Sequence, residues 1–127
     1  MKIAIIGAGR VGAALGTRWA VAGHQVMYGV RRPQDPKIPP LLEGTPNGRA
    51  GSVAEAAAFG DVVVLATPWS ATESAIRAAG SLAGKIVVDV TNPLNETFSG
   101  LTVGHTSSGG ETVAKWAKGA KVIKTLN

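Results

Sequence analysis

Short apolar runs alternating with helical stretches along 127 residues predict an α/β fold, a doubly wound and mostly parallel sheet with helices on both faces. Three observations carry this. The chain opens on Lys2-Ile3-Ala4-Ile5-Ile6, an apolar run with β-branched residues, which passes directly into Gly7-Ala8-Gly9-Arg10-Val11-Gly12 and then into small helix-forming residues. Two later runs, Asp61–Ala66 and Lys85–Val90, are also strongly apolar and end in polar turns containing proline. Hydrophobic residues make up 45% of the chain and aromatics only 5%, so the core must be built from Ala, Val, Ile and Leu, as close-packed helices on a sheet require.

Taken in order, the first strand is Lys2–Ile6 and the first helix covers Ala13–Ala22, with Gly23 closing it. His24–Val30 alternates as a second strand, and His24 belongs to the turn before it. Prolines at 33, 36, 39, 40 and 46 argue against a full second crossover helix; one turn at Leu41-Leu42-Glu43 is the most expected there. Arg49-Ala50-Gly51 reads as a short third strand. Ser52 reads as an N-cap, with Glu55 completing a capping box for a helix over Val53–Phe59. Asp61–Ala66 is the fourth strand, Ser70–Ala79 a helix and Lys85–Val90 the fifth strand. A polar, glycine-containing loop follows, then a helix over Glu111–Lys118 and a sixth strand over Lys121–Leu126. The expected strand order is 3-2-1-4-5-6, a Rossmann-type sheet.

Composition excludes several function classes. There are no cysteines, so disulfides and thiolate metal sites are ruled out, and two distant histidines, His24 and His105, make no metal site. No apolar run is long enough to span a membrane and the N-terminus reads as a strand, so a cytoplasmic protein without a membrane partner is expected. Thirteen basic against eight acidic residues give a net charge of +5. Nucleic acid is the obvious partner for such a charge, but no basic run with interleaved aromatics and no recognition helix is present. The distribution says more than the total. No Asp or Glu precedes Asp35, whereas Lys2, Arg10, Arg18, Arg31 and Arg32 do.

A lone G-x-G-x-x-G carries little weight; one set between a buried strand and a helix carries much more. In that setting Gly7 makes the tight turn, Gly9 lets the backbone approach a pyrophosphate and Gly12 lets helix and strand pack closely. The free N–H groups and positive dipole end of the helix then face the phosphates. Dinucleotide folds read the adenosine ribose at the end of the second strand. An acid there accepts from the ribose hydroxyls of NAD, whereas arginine suits the 2′-phosphate of NADP. This chain has Arg31-Arg32 and no acid, and Lys37 offers a third positive charge. Guanidinium groups match phosphate as charge-assisted forks, so NADP(H) is the expected cofactor. The carboxyl edge of the sheet also collects Ala66-Thr67-Pro68 and Asn92-Pro93-Leu94.

These stretches together resemble the NADP-dependent oxidoreductases that use the deazaflavin coenzyme F-420. The resemblance rests on IAIIGAGRVGAALG, AGHQVMYGVRR, AGSVAEAAAFGDVVVLATPW, GKIVVDVTNPL and GGETVAKWAKGAKVIKTLN, nearly the whole chain. Cofactor domains of membrane ferric reductases and of pyrroline-carboxylate and other imine reductases share parts of the pattern. The resemblance implies hydride exchange between NADPH and a deazaflavin or similar small-molecule acceptor or donor. It also implies that Gly7 to Gly12 hold the pyrophosphate, Arg31 and Arg32 the 2′-phosphate, and Ala66, Thr67, Pro68, Asn92 and Pro93 the nicotinamide side. The family often has Ser or Thr before the first arginine; Val30 here removes one hydrogen bond to the 2′-phosphate. The family also continues past its sixth strand into a helical domain that helps form the second-substrate pocket and a homodimer. Residues 1–127 are expected to form a single NADP(H)-binding domain without it.

No catalytic residue is nominated. Hydride transfer between two ring cofactors asks the protein for positioning and exclusion of water rather than acid–base chemistry. Asp89, inside an apolar strand, reads as hydrogen-bonded structure. The alternative to an oxidoreductase is a stand-alone NADP(H)-binding module without turnover.

Overall fold

The computed structural model describes residues 1–91, 113 and 116–124. Among the described residues ten elements follow one another: β1 (Lys2–Ile6), α1 (Arg10–Val21), β2 (Gln25–Gly29), α2 (Ile38–Glu43), β3 (Arg49–Gly51), α3 (Val53–Phe59), β4 (Val62–Leu65), α4 (Trp69–Ala79), β5 (Ile86–Asp89) and β6 (Lys121–Lys124). The strands form one sheet in the order β3-β2-β1-β4-β5-β6, with every neighbouring pair parallel. The sequence-based order and class therefore hold. None of the described helices is long and apolar enough to cross a membrane.

Successive residues of a strand face opposite sides, and the core divides accordingly. Ala4, Ile6, Val63, Leu65 and Val87 pack with α3, α4, Val113 and Ala117 on one side. Ile3, Ile5, Val26, Tyr28 and Val64 pack on the other with Ala20 of α1 and with Leu41 and Leu42 of α2. Trp69 and Trp116 meet on the first side, ring centroids 5.3 Å apart. Fully burying one such aliphatic side chain is worth about 1.5–3 kcal/mol, so these two layers are the main source of stability.

Helix ends follow their local chemistry. At the end of α1, Gly23 takes a φ of +101°, its N–H reaches the Ala20 carbonyl, and the His24 N–H reaches the Trp19 carbonyl. These two bonds form a Schellman motif, so His24 serves the turn through its backbone. At α3 the Ser52 hydroxyl accepts from the Glu55 N–H while the Glu55 carboxylate accepts from the Ser52 N–H. That backbone donation holds the Glu55 carboxyl below its ordinary range. At the other end of α3, the Lys85 ammonium donates to the carbonyls of Ala57 and Gly60, at 2.5 and 2.6 Å. A cation on orphan carbonyls at a helix C-terminus is favourable.

The structure corrects the sequence reading in three places. The first helix starts at Arg10, so Arg10, Val11 and Gly12 form its first turn instead of preceding it. A six-residue helix, α2, occupies Ile38–Glu43 where only one turn at Leu41–Glu43 was expected. Pro39 and Pro40 lie in its first turn, where a backbone N–H has no intrahelical partner to lose. Strands are shorter than their apolar runs: His24, Val30, Asp61, Ala66, Lys85 and Val90 fall outside them. The helix expected over Glu111–Lys118 lies largely outside the described residues; Val113 and Trp116 are helical, and Lys118 already belongs to a turn. Thr125 and Leu126, expected in the sixth strand, lie outside the described residues.

The α2 segment is pinned to the sheet by a buried polar relay. The Thr45 hydroxyl donates to the Leu41 carbonyl at 2.9 Å, so its single proton is used, and the Tyr28 hydroxyl, 3.0 Å away, donates to Thr45. Tyr28 and Thr45 are both buried, and burial pushes the Tyr28 phenol up. Gly16 of α1 lies directly over this phenol: a Cβ there would be 2.1 Å from the Tyr28 hydroxyl oxygen. Gly16→Ala is therefore expected to destabilise the fold by about 1–3 kcal/mol, the usual range for overpacking a dense core. Denaturant unfolding of the variant beside the parent chain measures this.

Candidate cofactor site

The sheet order reverses beside β1, because the chain moves from β1 outward to β2 and β3 and then returns to β4 on the other side. In open parallel sheets the crevice beyond the carboxyl ends at such a reversal is where ligands bind. Each loop leaving that edge is anchored by one more ladder bond. The Gly7 N–H donates to the Gly29 carbonyl, the Val30 N–H to Gly51, the Ala66 N–H to Ile6 and the Val90 N–H to Leu65, at 2.9–3.1 Å. The loops thus begin from fixed points.

The turn between β1 and α1 has no room for side chains at two of its glycines. Gly7 takes a φ of +103°, and a Cβ on it would stand 2.8 Å from the Ala66 carbonyl oxygen. A Cβ on Gly12 would stand 2.5 Å from the Gly7 carbonyl oxygen and 3.2 Å from the Ile5 side chain. Gly9 is different. Its φ is −77°, and a Cβ on it would meet nothing within 4 Å. What glycine provides at position 9 is open space toward the crevice. Gly9 caps α1 without a side-chain bond, and the first turn of the helix contains no acid. The leading N–H groups of α1 have no intrahelical partners and carry the positive end of the helix dipole.

Three clefts adjoin this turn. The first, about 600 Å³, is lined by Ala8, Val30, Arg31, Arg32, Asp35, Lys37 and Ile38. The second, about 610 Å³, runs from Gly7 and Ala8 past Gly29, Val30 and Arg31 to Thr67, Pro68 and the α4 face of Ser70, Ala71, Ser74, Ala75 and Ala78. The third, about 380 Å³, is lined by Gly7 to Val11, Ala66 to Trp69, Val90 and Thr91. Together they form a continuous rim around the glycine turn. Gly7, Ala8, Gly9, Arg10, Val11, Arg31, Arg32, Ala66, Thr67 and Pro68 all lie on it. Gly12 lies beneath it, buried against Gly7. Asn92, Pro93 and His105 lie outside the described residues.

The arginine cleft is shaped by tight local bonds. The Arg32 carbonyl accepts from the Asp35 N–H, the Asp35 carbonyl from the Ile38 N–H, and Asp35 Oδ1 from the Lys37 N–H at 2.9 Å. Asp35 is the one acid of this cleft, and its carboxylate caps the turn that leads into α2. Arg31 and Arg32 are both exposed. The wall supplied by α4 was absent from the sequence reading. Its signal was available: Ser70, Ala71, Ser74, Ala75 and Ala78 recur at helical spacing, a small-residue face directly after Thr67-Pro68.

Two further groups hold the floor. Asp89 is fully buried; its Oδ1 accepts from the Thr91 N–H at 2.8 Å, the Thr91 hydroxyl at 2.5 Å and the Lys124 ammonium at 3.4 Å. Lys124 also donates to the Thr91 carbonyl. Asp89 thereby ties the end of β5 to β6 and fixes Thr91 under the third cleft, the structural role expected of it. Above, the Thr67 and Thr72 hydroxyls lie 2.9 Å apart, and the Thr72 hydroxyl donates to the Pro68 carbonyl at 3.0 Å.

Comparison with known proteins agrees with this geometry. The family described as NADP oxidoreductase coenzyme F420-dependent matches residues 2–93. The chain is 30% identical over 128 aligned positions to metalloreductase STEAP3 of Rattus norvegicus, a match covering 99% of this chain and 24% of that protein. Among solved structures, it superposes with a TM-score of 0.85 and 34% identity on a protein of Arthrobacter sp. FB24 assigned as an F420-dependent NADP-reductase, covering 98% of this chain and 61% of that one. A hypothetical protein of Sinorhizobium meliloti follows at a TM-score of 0.80 and 27% identity, covering 97% of this chain and 60% of that one. The chain spans 24% of the length of the rat relative. With a strand–glycine–helix opening inside the matched segment and the same parallel sheet in its solved relatives, this chain belongs to the coenzyme F420-dependent NADP oxidoreductase family.

Proposed function

We propose that this chain is the NADP(H)-binding part of an oxidoreductase that moves hydride between NADPH and a deazaflavin of the F-420 type. The observation that carries the cofactor choice is the cleft after β2. It holds Arg31, Arg32 and Lys37, and its one acid, Asp35, is engaged with the backbone. No acid occurs earlier in the chain to accept from the ribose hydroxyls of NAD. The residues fit the group. Two guanidiniums suit a 2′-phosphate, the open space at Gly9 admits a pyrophosphate, and the α1 N-terminus supplies N–H donors. The bound nicotinamide supplies the hydride. The protein's own part is to fix the ring at the ends of β4 and β5 and to keep water from it.

The acceptor rests on the family and on the Arthrobacter relative. The rat metalloreductase match favours a second reading, in which the same cofactor domain serves a metal-reducing enzyme. Assay of NADPH oxidation with a deazaflavin, and separately with a ferric chelate, decides between them. Turnover with the deazaflavin alone supports the first reading.

Two binding measurements test the cofactor assignment. Charge-assisted contacts are worth roughly 1.5–3 kcal/mol, so NADPH is expected to bind about tenfold to a hundredfold more tightly than NADH. Arg31→Ala with Arg32→Ala should remove that preference by weakening NADPH alone, and added salt should erode it, because both side chains are exposed. Equal affinity for the two nucleotides in the parent chain would reduce the arginines to a solvated strand end. Gly9→Val should leave the thermal unfolding midpoint close to the parent value, since a Cβ meets nothing there, while abolishing NADPH binding. Normal NADPH affinity in that variant would remove the glycine turn from the site.

A further inference from the structure

We infer that Thr72, a buried residue outside the clefts, fixes Thr67 so that its hydroxyl offers only acceptor capacity to the cofactor, and that the group it meets is a hydrogen-bond donor of the nucleotide, not a phosphate oxygen. This rests on the cofactor reading above. The argument is one of proton counting. A threonine hydroxyl has one proton and two lone pairs. The Thr72 proton is given to the Pro68 carbonyl, which can only accept, at 3.0 Å. The Thr67 oxygen lies 2.9 Å from the Thr72 oxygen, so the proton between them comes from Thr67. Thr67 has then no proton left, and its two lone pairs are what it can present to the two clefts that it lines.

Thr72 is fully buried and cannot turn away to solvent. On a helix a threonine divides between two rotamers, and Thr72 takes one in which its hydroxyl reaches the carbonyl four residues back, at the first turn of α4. Phosphate oxygens are acceptors and find no partner in such a group. The α1 N-terminus and the arginines face the phosphates; Thr67 is left for a donor. In a nicotinamide dinucleotide those donors are the sugar hydroxyls, the adenine amino group and the carboxamide NH2. Thr72 is thus a positioning residue that acts through Thr67 on the choice of ligand atom.

The test is a double-variant cycle on the whole chain, with Thr67→Val, Thr72→Val and both together, read by calorimetric titration with NADPH. Loss of one neutral hydrogen bond corresponds to about a fivefold rise in Kd. Each single variant should show about that rise, and the double variant no more than Thr67→Val alone, because the two changes remove the same contact. Thr72→Ser should retain the parent affinity. Additive losses would mean that Thr72 acts by another route, and an unchanged Kd in Thr67→Val would remove the contact; either overturns the inference. If Thr72→Val fails to fold, Thr72→Ala takes its place in the cycle on the same criteria, and an unchanged Kd in Thr67→Val overturns the inference without it. A parent chain that does not bind NADPH overturns the cofactor reading and this inference together, and that is seen before any variant is made.

Two further ligands locate the donor. A loss in Thr67→Val that is also seen with 2′,5′-ADP assigns it to the adenosine half, and one seen only with NADPH assigns it to the nicotinamide half. The 3-acetylpyridine analogue of NADP has no N–H on its side group. Parent and Thr67→Val bind it equally if the carboxamide is the donor, and differ if a ribose hydroxyl is.

Discussion

Everything at the carboxyl edge depends on how closely α1 lies against the turn that precedes it. The Gly7 carbonyl occupies the space that a side chain at Gly12 would need, so the helix rests on bare backbone. That contact sets the direction of α1 relative to β1, and with it where the unsatisfied N–H groups of the helix point. Gly16 continues the same approach one turn further along, over the buried Tyr28 phenol. A helix held further off the sheet would lose the Tyr28 packing and would aim its dipole away from the crevice. Close approach, not flexibility, is what glycine contributes at both positions.

Much of this was legible from local pattern. The β1 run, the capping box of Ser52 and Glu55 and the Gly23 cap follow from short-range rules, the order of the strands follows from the Rossmann pattern that the opening motif introduces, and each stands as read. What was not legible depends on residues far apart in sequence or on rules that cut two ways. Prolines at 39 and 40 argue against a helix in its interior but are neutral in its first turn, and only the position of Ile38 in the core decides which applies. Tyr28 and Thr45 are separated by sixteen intervening residues, and no spacing rule joins them. The same holds for the α4 wall of the second cleft, whose small residues gain meaning only once α4 is set beside Gly7 and Gly29.

The site divides its labour by charge and by proton. Cations and helix N–H groups gather at the glycine turn and at the end of β2, where a phosphate-bearing ligand needs them. The region beyond β4 and β5 carries hydroxyls and an ammonium whose protons are spent within the protein: Thr72 on Pro68, Thr91 on Asp89 Oδ1, Lys124 on Thr91 and Asp89 Oδ1. The first region attracts a ligand over a distance. The second holds its surroundings still, which suits a reaction in which the cofactor brings the chemistry and geometry decides the rate.

The strand order also governs how the sheet can close in time. Ile3 pairs with Val26 on one side of β1 and with Val62 on the other. Loop-closure entropy grows with the length of chain between partners, so the β1–β2 side is favoured to form before the β1–β4 side. Until β4 arrives, a strongly apolar strand presents an open edge, with Ile3 to Ile6 unpaired on that flank. An open apolar edge is a template for pairing with another chain. The feature that creates a crevice for the cofactor in the finished fold therefore also creates its most association-prone moment on the way there, and rapid return of β4 to the centre is what shortens it.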